Sequence, residues 1–399
     1  MIRVSTSNLY LQSLQGINAD QSAVLNSIGQ LSSGKQINSP ADNPVGAAQA
    51  SLLQSDLNQL GQYGTNQTQA THMVNAASST LTQFINVLQS SQTVLVQAGN
   101  TNLSDANRSA LAAQLQQNLN QLVGLANTTD TQGGYLFGGS VTANPPFTQS
   151  GNNVTYAGDN LVQGLQVSQT RTEQIKYAGN AVFMNIPTGN GTFTTSVTSG
   201  SGTISAGSVT SPGSIKGDNY TISIDSSGTK YSVYDNTISS PVVTLANLTP
   251  PSTTVSFDGM QMTLSGNVQK NDTYTVAPSG NQSVFSILAS AITALQTPSS
   301  TPGAAAQISS AITAALGNSQ QALTSLTSTQ ATMGAQLAEL NSYSTTNGDR
   351  TLQDQTQMSS IVDLNYANGA SKLAQQQTQY QAALQSYSSI SKLSLFQYL

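Results

Sequence analysis

The sequence predicts a mainly helical protein in which an antiparallel β domain is inserted between two helical halves. Residues 1–135 are poor in proline and rich in glutamine, alanine and leucine, and a helical composition returns from about residue 281 onward. Residues 189–280 are instead rich in glycine, serine, threonine and valine, with repeated turn signals. Near both chain ends, apolar residues recur at alternating spacings of three and four, which is typical of long helices packed in coiled-coil fashion. Helix, strand and helix in this order indicate an inserted domain.

The first predicted helix is defined by an apolar stripe near the N-terminus. We expect it to end at Ser33-Gly34, because glycine readily adopts the left-handed backbone that caps a helix C-terminus. Either Asp42 or Asn43 can cap the next helix, with Pro44 in its first turn. The apolar members of the stripe are Tyr10, Leu14, Ile17, Val24, Ile28 and Leu31.

Three further elements are expected before the β domain. A long second helix carries an apolar stripe from Leu53 to Leu95, and a shorter helix starts near Ser104. The segments 153–156 and 161–167 flank a turn at Gly158-Asp159 and predict a β-hairpin. The apolar residues of the shorter helix are Leu111, Leu115, Leu119 and Leu122.

The β domain and the C-terminal helices complete the chain. Pro298 and Pro302 precede a long helix that begins near Ala304, and Asn347-Gly348 predicts a break within it. A last stripe includes Leu373, Tyr380, Leu384 and Tyr387. Alternating residues predict strands at 220–224, 230–234, 254–257, 262–264 and 273–276, with turns at 225–228 and 258–259.

The composition excludes most catalytic chemistry. Only 7% of residues are charged, against about 25% in ordinary soluble proteins. The chain has no Cys and a single His, so thiol nucleophiles and zinc sites built on several His or Cys are impossible. His72 lies beside a helical stripe and is interpreted as a partly exposed histidine, while Asp218, Asp225 and Asp272 suit turns or at most a weak calcium site. We therefore predict no enzyme activity, no cofactor and no catalytic or metal site.

Charge and hydropathy also limit the partners. A net charge of −5 opposes nucleic-acid binding, which needs clustered Lys and Arg. No apolar run approaches the ~18 residues that span a bilayer, so we expect no membrane contact. The N-terminus has one basic residue and no compact apolar core, so we expect no Sec-type leader.

Neither terminal helix is expected to be stable alone. Each carries a narrow apolar stripe, and neither has the charged flanking residues that steady isolated coiled coils. We expect both ends to be poorly ordered in the monomer and to fold when neighbouring copies cover their apolar faces. The residues expected at these contacts are Tyr10, Leu14, Ile17, Val24, Ile28, Leu31, Leu364, Leu373, Tyr380, Leu384, Tyr387, Ile390, Leu393, Leu395 and Phe396.

Five segments carry a family resemblance. The run from Leu31 to Gly46 resembles the N-terminal signature of the bacterial flagellin superfamily. Residues 2–6, 134–139 with Pro146-Phe147, 362–364 and 388–399 look like its hook-associated protein 3 branch. The chain departs from the family at Gln36, where Arg is frequent, and at Asn43, where Asp is frequent. The signature residues are Leu31, Ser32, Ser33, Gly34, Asp42 and Pro44.

The resemblance implies a flagellin-like arrangement of three domains. These would be a terminal coiled-coil assembly domain (1–43 and 352–399), a helical core domain with the hairpin near 153–168 (44–188 and 281–351), and an outer β domain (189–280). It also implies export through the flagellar type III channel without cleavage, with a dedicated chaperone at the C-terminal region.

The function implied by the resemblance is structural. Copies of the chain would form an extracellular layer at the hook–filament junction, with the other junction protein on the hook side and flagellin on the distal side. Three alternatives remain open: a flagellin filament subunit, a surface adhesin that binds through its β domain, and an enzyme such as a hydrolase carried on the outer β domain, which a pocket joining His72 to a Ser or Asp would favour.

Overall fold

The computed structural model describes residues 6–100, 102–140, 144–298, 300 and 304–392. They form two compact units. The terminal unit ends at Thr65 and resumes at Tyr343, and the central unit spans Asn66–Ser342. The described helices are α1 (Thr6–Ser33), α2 (Pro44–Ala98), α3 (Asp105–Ala126), α4 (Val284–Leu295), α5 (Ala304–Val362) and α6 (Tyr366–Lys392).

The strands lie in the central unit and pair only antiparallel among the described residues. A π-helical turn covers Asn180–Met184, and a 3₁₀ turn covers Pro212–Ser214. The strands are β1 (Phe147–Ser150), β2 (Asn153–Tyr156), β3 (Gly164–Ser168), β4 (Arg171–Gln174), β5 (Ile186–Pro187), β6 (Phe193–Ser199), β7 (Gly202–Ile204), β8 (Ser208–Val209), β9 (Tyr220–Ile224), β10 (Lys230–Asp235), β11 (Ser240–Asn247), β12 (Ser252–Phe257), β13 (Met260–Gly266), β14 (Thr273–Pro278) and β15 (Asn281–Gln282).

The β domain is built from two sheets that share one apolar core. A five-stranded sheet has the order β11-β10-β9-β14-β6, and a second sheet has the order β12-β13-β7, with β8 also paired to β13. The shared core follows from the alternation of side chains along each strand. In β9, for example, Tyr220, Ile222 and Ile224 are buried, whereas the alternate residues are half-buried. The strands predicted at 220–224, 230–234, 254–257, 262–264 and 273–276 are confirmed.

Five phenylalanines hold the rest of the central unit together around Phe183. The ring centroid of Phe183 lies 4.5 Å from that of Phe84 and 5.0 Å from that of Phe137. Its distances to Phe147 and Phe285 are 5.7 Å and 6.2 Å. All five side chains are almost fully buried. Because they come from α2, the segment before β1, β1, the π-helical turn and α4, this cluster joins elements that are distant in sequence.

A glycine beside this cluster leads to a first prediction. A Cβ at Gly179 would lie 2.5 Å from a ring carbon of Phe147 and 2.6 Å from the carbonyl oxygen of Phe137. We expect Gly179→Ala to lower the free energy of unfolding by about 1–3 kcal/mol, because the core must shift to admit a methyl group. Urea unfolding measures the change. The matched control is Gly124→Ala in α3, where a Cβ meets no atom within 4 Å. The control should be neutral or stabilising, and equal effects of both substitutions would contradict the packing argument.

The hairpin predicted between residues 153 and 167 is wrong in its pairing. Strand β2 pairs with β1 through a turn at residues 151–152, and β3 pairs with β4. The expected turn residue Asp159 instead accepts backbone hydrogen bonds from Ser140 (2.8 Å) and Leu161 (3.2 Å). The two hairpins are separate because Asp159 holds the intervening segment against residue 140, away from strand pairing.

The break predicted at Asn347-Gly348 is also wrong, because α5 continues through it. The side-chain amide of Asn347 donates a hydrogen bond of 2.9 Å to the carbonyl oxygen of Leu60 in α2. The turn signal of an Asn-Gly pair is a local preference, and here helical backbone and a tertiary hydrogen bond override it.

The starts of α3 and α5 agree with prediction. Ser104 caps α3 by accepting a hydrogen bond from the Asn107 amide (3.2 Å), and α5 begins at Ala304.

Candidate assembly surface

The two chain ends form an antiparallel helix pair, α1 with α6, within the terminal unit. The hydroxyl of Tyr387 donates to that of Tyr10 at 2.7 Å, and their ring centroids are 5.4 Å apart. Farther along, the Ser27 hydroxyl donates to the side-chain oxygen of Gln376 at 2.5 Å. The pair therefore runs from near the N-terminus of α1 to its C-terminal end.

The seam between α1 and α6 follows a three-four spacing but includes polar positions. Ile17 and Ser27 are buried in α1, and Gly369 is buried in α6. Ile28, by contrast, is 45% exposed, because the serine before it takes the inward position. An apolar stripe alone cannot reveal this seam, since a serine that bonds across to glutamine replaces an apolar contact.

The pair exposes several large apolar side chains: those of Leu11, Leu25 and Ile28 lie on its outer side, whereas Tyr10 also contacts Tyr387 across the pair. Tyr10 is 43% exposed, Leu11 55%, Leu25 61%, Ile28 45% and Leu384 41%. Leu11 and Leu25 were missed by the stripe analysis because they lie off the stripe, although their separation of two heptads was a readable signal. Exposed apolar residues in this number on one helix pair are typical of a surface that binds another protein.

The predicted contact residues fall into four groups. Ile17 is buried against the partner helix, and Tyr10, Ile28 and Leu384 are exposed. Residues Leu393, Leu395 and Phe396, with the motif residues 2–5 and the end of the 388–399 motif, lie outside the described residues, as does the side chain of Ile390. The remaining predicted residues are half-buried: Leu14, Val24, Leu31, Leu364, Leu373, Tyr380 and Tyr387.

The signature segment forms the connector between α1 and α2. Gly34 has φ +71°, and its carbonyl oxygen accepts a hydrogen bond of 2.9 Å from the Leu364 amide. The Gln36 amide donates to the Val362 carbonyl at 2.8 Å, and its side chain donates to the Ile361 carbonyl at 2.6 Å. The connector thus satisfies carbonyl groups at the C-terminus of α5, which have no partner within the helix. Gln36 does this with a neutral amide donor.

The sequence left open whether Asp42 or Asn43 caps α2, and the structure assigns the cap to Asn43. The side-chain oxygen of Asn43 accepts the Gly46 amide at 3.0 Å, so Asn43 caps α2. One carboxylate oxygen of Asp42 accepts the backbone amides of Ser39 (2.8 Å) and Asn38 (2.9 Å). These hydrogen bonds, first that of Ser39 and then that of Asn38, lower the pKa of Asp42. The acid therefore shapes the connector turn rather than the helix start.

The lowered pKa of Asp42 makes the connector sensitive to acid. A carboxyl whose pKa is lower in the folded state stabilises that state above its ordinary pKa of 3.8. This stabilisation is lost as the pH falls through the folded-state value. We expect the protection factors of the Asn38 and Ser39 amides, which correct the exchange rate for its intrinsic pH dependence, to fall over that acid range, and Asp42→Asn to remove this change in protection. Asp56→Asn, at an exposed position of α2, is the control. Unchanged pH dependence in Asp42→Asn would contradict the assignment.

His72 is exposed on α2. No group of three or more His, Asp or Glu side chains within the described ranges could hold a metal ion. Of the helices that the structure describes, none has the length and hydropathy to cross a bilayer.

The chain is similar to flagellar proteins. Residues 4–142 match the family described as the bacterial flagellin N-terminal helical region. Flagellar hook-associated protein 3 of Salmonella typhimurium is 28% identical over 397 residues, which cover 99% of either chain. The flagellar junction protein FlgL from Legionella pneumophila has a crystal structure that matches with a TM-score of 0.70 and 27% identity, covering 79% of this chain and 99% of that one. Flagellin B of Helicobacter pylori is 30% identical, but over 42% of this chain and 32% of the flagellin.

Proposed function

Because the chain is a member of the bacterial flagellin superfamily, we propose that it is a structural subunit of the flagellum that joins hook to filament. The observation that carries the proposal is the likeness to flagellar hook-associated protein 3 over 99% of both chains. The flagellin match is confined to less than half of this chain, which favours a junction role over a filament role.

We propose that copies of the chain assemble through the outer side of the α1–α6 pair. Leu11, Leu25 and Ile28 are exposed there, so a neighbouring copy that covers them removes apolar surface from water. Few charges oppose this contact, because Asp20 is the single charged residue of α1. The predicted contact residues remain candidates, divided between the seam of one chain and the surface between chains.

Folding of the ends is proposed to be coupled to assembly. The seam holds few fully buried apolar residues, so a neighbouring copy would add much of the stabilising burial. Hydrogen exchange on the dilute monomer tests this. Fast exchange in α1 and α6 that slows in the assembled layer is expected. Strong protection of both helices in the monomer would contradict the coupling.

The proposed neighbours follow from the junction role. The other junction protein would bind on the hook side, flagellin on the distal side, and an export chaperone at the C-terminal region. The protein would then be secreted and extracellular. The division into domains 1–43 with 352–399, 44–188 with 281–351, and 189–280 likewise stays a prediction.

A gene deletion tests the role directly. Loss of a junction protein should release filament subunits into the medium, whereas loss of a flagellin should leave hooks that still carry their junction proteins. Labelling of isolated flagella should mark one narrow zone at the tip of the hook. Label along the whole filament would overturn the junction role in favour of the flagellin alternative.

The low charge predicts how assembly responds to salt. With 7% charged residues, the contacts between copies should depend little on screening. We expect the extent of assembly, followed by light scattering, to change less than about twofold between 50 and 300 mM NaCl, since weak surface pairs contribute little free energy. A steep loss of assembly over this range would indicate contacts driven by charge instead.

A further inference from the structure

A loop of the central unit presents two adjacent apolar side chains to solvent. Leu161 is 65% exposed and Val162 is 59% exposed. Both lie between hairpins β1–β2 and β3–β4. Single exposed apolar residues are ordinary on protein surfaces, but two in succession on a loop that is held in place need a reason.

The loop is held by Asp159. One carboxylate oxygen accepts the Ser140 amide at 2.8 Å and the Leu161 amide at 3.2 Å, and the other accepts the Ser140 hydroxyl. The Asp159 carbonyl oxygen accepts the Tyr156 hydroxyl at 2.7 Å. The hydrogen bonds from Ser140 lower the pKa of Asp159, which agrees with a carboxylate that is well supplied with donors.

The loop packs against Gly138 and Gly139, which belong to the 134–139 motif. Gly139 has φ +69°, and a Cβ there would collide with Asp159 and with the carbonyl oxygen of Leu161. The Asp159 amide reaches the Gly138 carbonyl oxygen at 3.4 Å. A motif of the flagellin resemblance therefore has a structural use outside the core: it lets this loop approach closely and keeps its apolar pair in one position.

The surface around the loop determines which partner fits. Val162 lines a cleft of about 520 Å³ together with Tyr177, Ala181 and Thr332. No Asp, Glu, Lys or Arg contributes to the cleft wall. A partner that covers it must therefore be apolar or polar without charge, because an uncompensated charge would lose its hydration there. A second copy of this chain meets that requirement, since its own surface is poor in charge and the assembled layer would hold it at high local concentration.

We propose that Leu161, Val162 and the adjoining cleft form a contact with a neighbouring copy of this chain, separate from the contact of the terminal helices. This inference rests on the proposed assembly of copies into a layer. The contact fixes how neighbouring central units are oriented, whereas the contacts of the terminal helices hold the copies together. The hydrogen bonds of Asp159 favour this contact, because a loop that is already ordered loses little conformational entropy on binding.

The absence of cysteine from the chain gives a direct test. Val162→Cys introduces the one thiol of the full-length protein, and its reaction rate with a maleimide is measured in the monomer and in layers assembled on isolated hooks. We expect labelling to slow by at least about tenfold in the layer, because thiol reactivity follows exposure. The matched control is Leu245→Cys in β11, where the native side chain is 53% exposed. Equal labelling of Val162→Cys in monomer and layer, or protection no greater than that of Leu245→Cys, would overturn the proposal.

A second experiment measures the contribution of the contact. The double variant Leu161→Ser/Val162→Ser changes exposed residues, so the monomer should unfold at the wild-type urea concentration. Its critical concentration for assembly should rise by at least about tenfold, because two apolar side chains no longer leave water. Asp159→Ala keeps both apolar residues but frees the loop, and should raise the critical concentration by a smaller factor. If the wild-type chain forms layers and the double variant assembles equally well, this contact is wrong. If the wild-type chain forms no layer, the proposed function itself fails.

Discussion

Deletion of residues 1–31 is expected to abolish assembly into the layer while the central unit remains folded. The deletion removes one side of the α1–α6 seam, so the half-buried Leu373, Tyr380 and Tyr387 lose their cover. The central unit keeps its own core around Phe183, so its cooperative unfolding should persist. Sedimentation velocity and electron microscopy of isolated hooks mixed with the deleted protein measure the outcome.

Two point variants separate the seam from the outer surface of the same helix. Ile17→Asp places a charge at the buried seam and should separate α1 from α6 as well as prevent assembly. Leu25→Ser alters a side chain that is 61% exposed, so it should leave the monomer unchanged and weaken assembly alone. Leu245→Ser in the β domain is the control with similar exposure. Normal assembly of the 1–31 deletion, or of Ile17→Asp, would remove the terminal helices from the mechanism.

Phe183→Ala is expected to lower the free energy of unfolding of the central unit by about 3–5 kcal/mol, which is the usual range for removing a buried phenylalanine ring. Phe183 is fully buried and its ring contacts four other phenylalanines, so no single neighbour can fill the space left behind. The midpoint of urea unfolding should fall while the denaturant slope stays constant.

Phe183→Leu is the matched control for the cavity. It keeps an apolar side chain of intermediate volume and should lower the free energy of unfolding by less than the alanine variant does, since a smaller void remains. The order alanine, leucine, wild type is the expected ranking of stability from lowest to highest. A loss below about 1 kcal/mol in Phe183→Ala would mean that the aromatic cluster is not the centre of this unit.

Local signals predicted the helices and most strands well. Gly34 ends α1 with a positive φ, Ser104 caps α3, and α5 begins at Ala304 after two prolines. The alternation of β9 and its neighbours located the strands of the β domain. These features depend on the chain within a few residues, where backbone conformation and side-chain alternation act directly.

The pairing of strands and the inward-facing positions of α1 were harder to predict from the sequence. The strand 153–156 was expected to pair forward along the chain, but it pairs back to 147–150 because Asp159 is bound to Ser140. The stripe of α1 placed Ile28 in the contact set with no means to tell seam from outer side, and Ser27 takes the inward position through Gln376. In both cases a polar side chain chooses its partner across a long sequence separation, and no local pattern records that choice.

By itself, the sequence determined that this protein is helical near both ends, carries an inserted β domain, contains no cysteine and a single histidine, and resembles flagellins. Periodicity and turn residues suffice for the helices and strands because they act over a short stretch of chain. Composition suffices for the rest because it is a property of the whole sequence. The tertiary structure alone decided which apolar residues are covered within one chain and which, such as Leu25 and Val162, remain exposed. Burial depends on what folds back against a residue, and that is a property of the packed molecule.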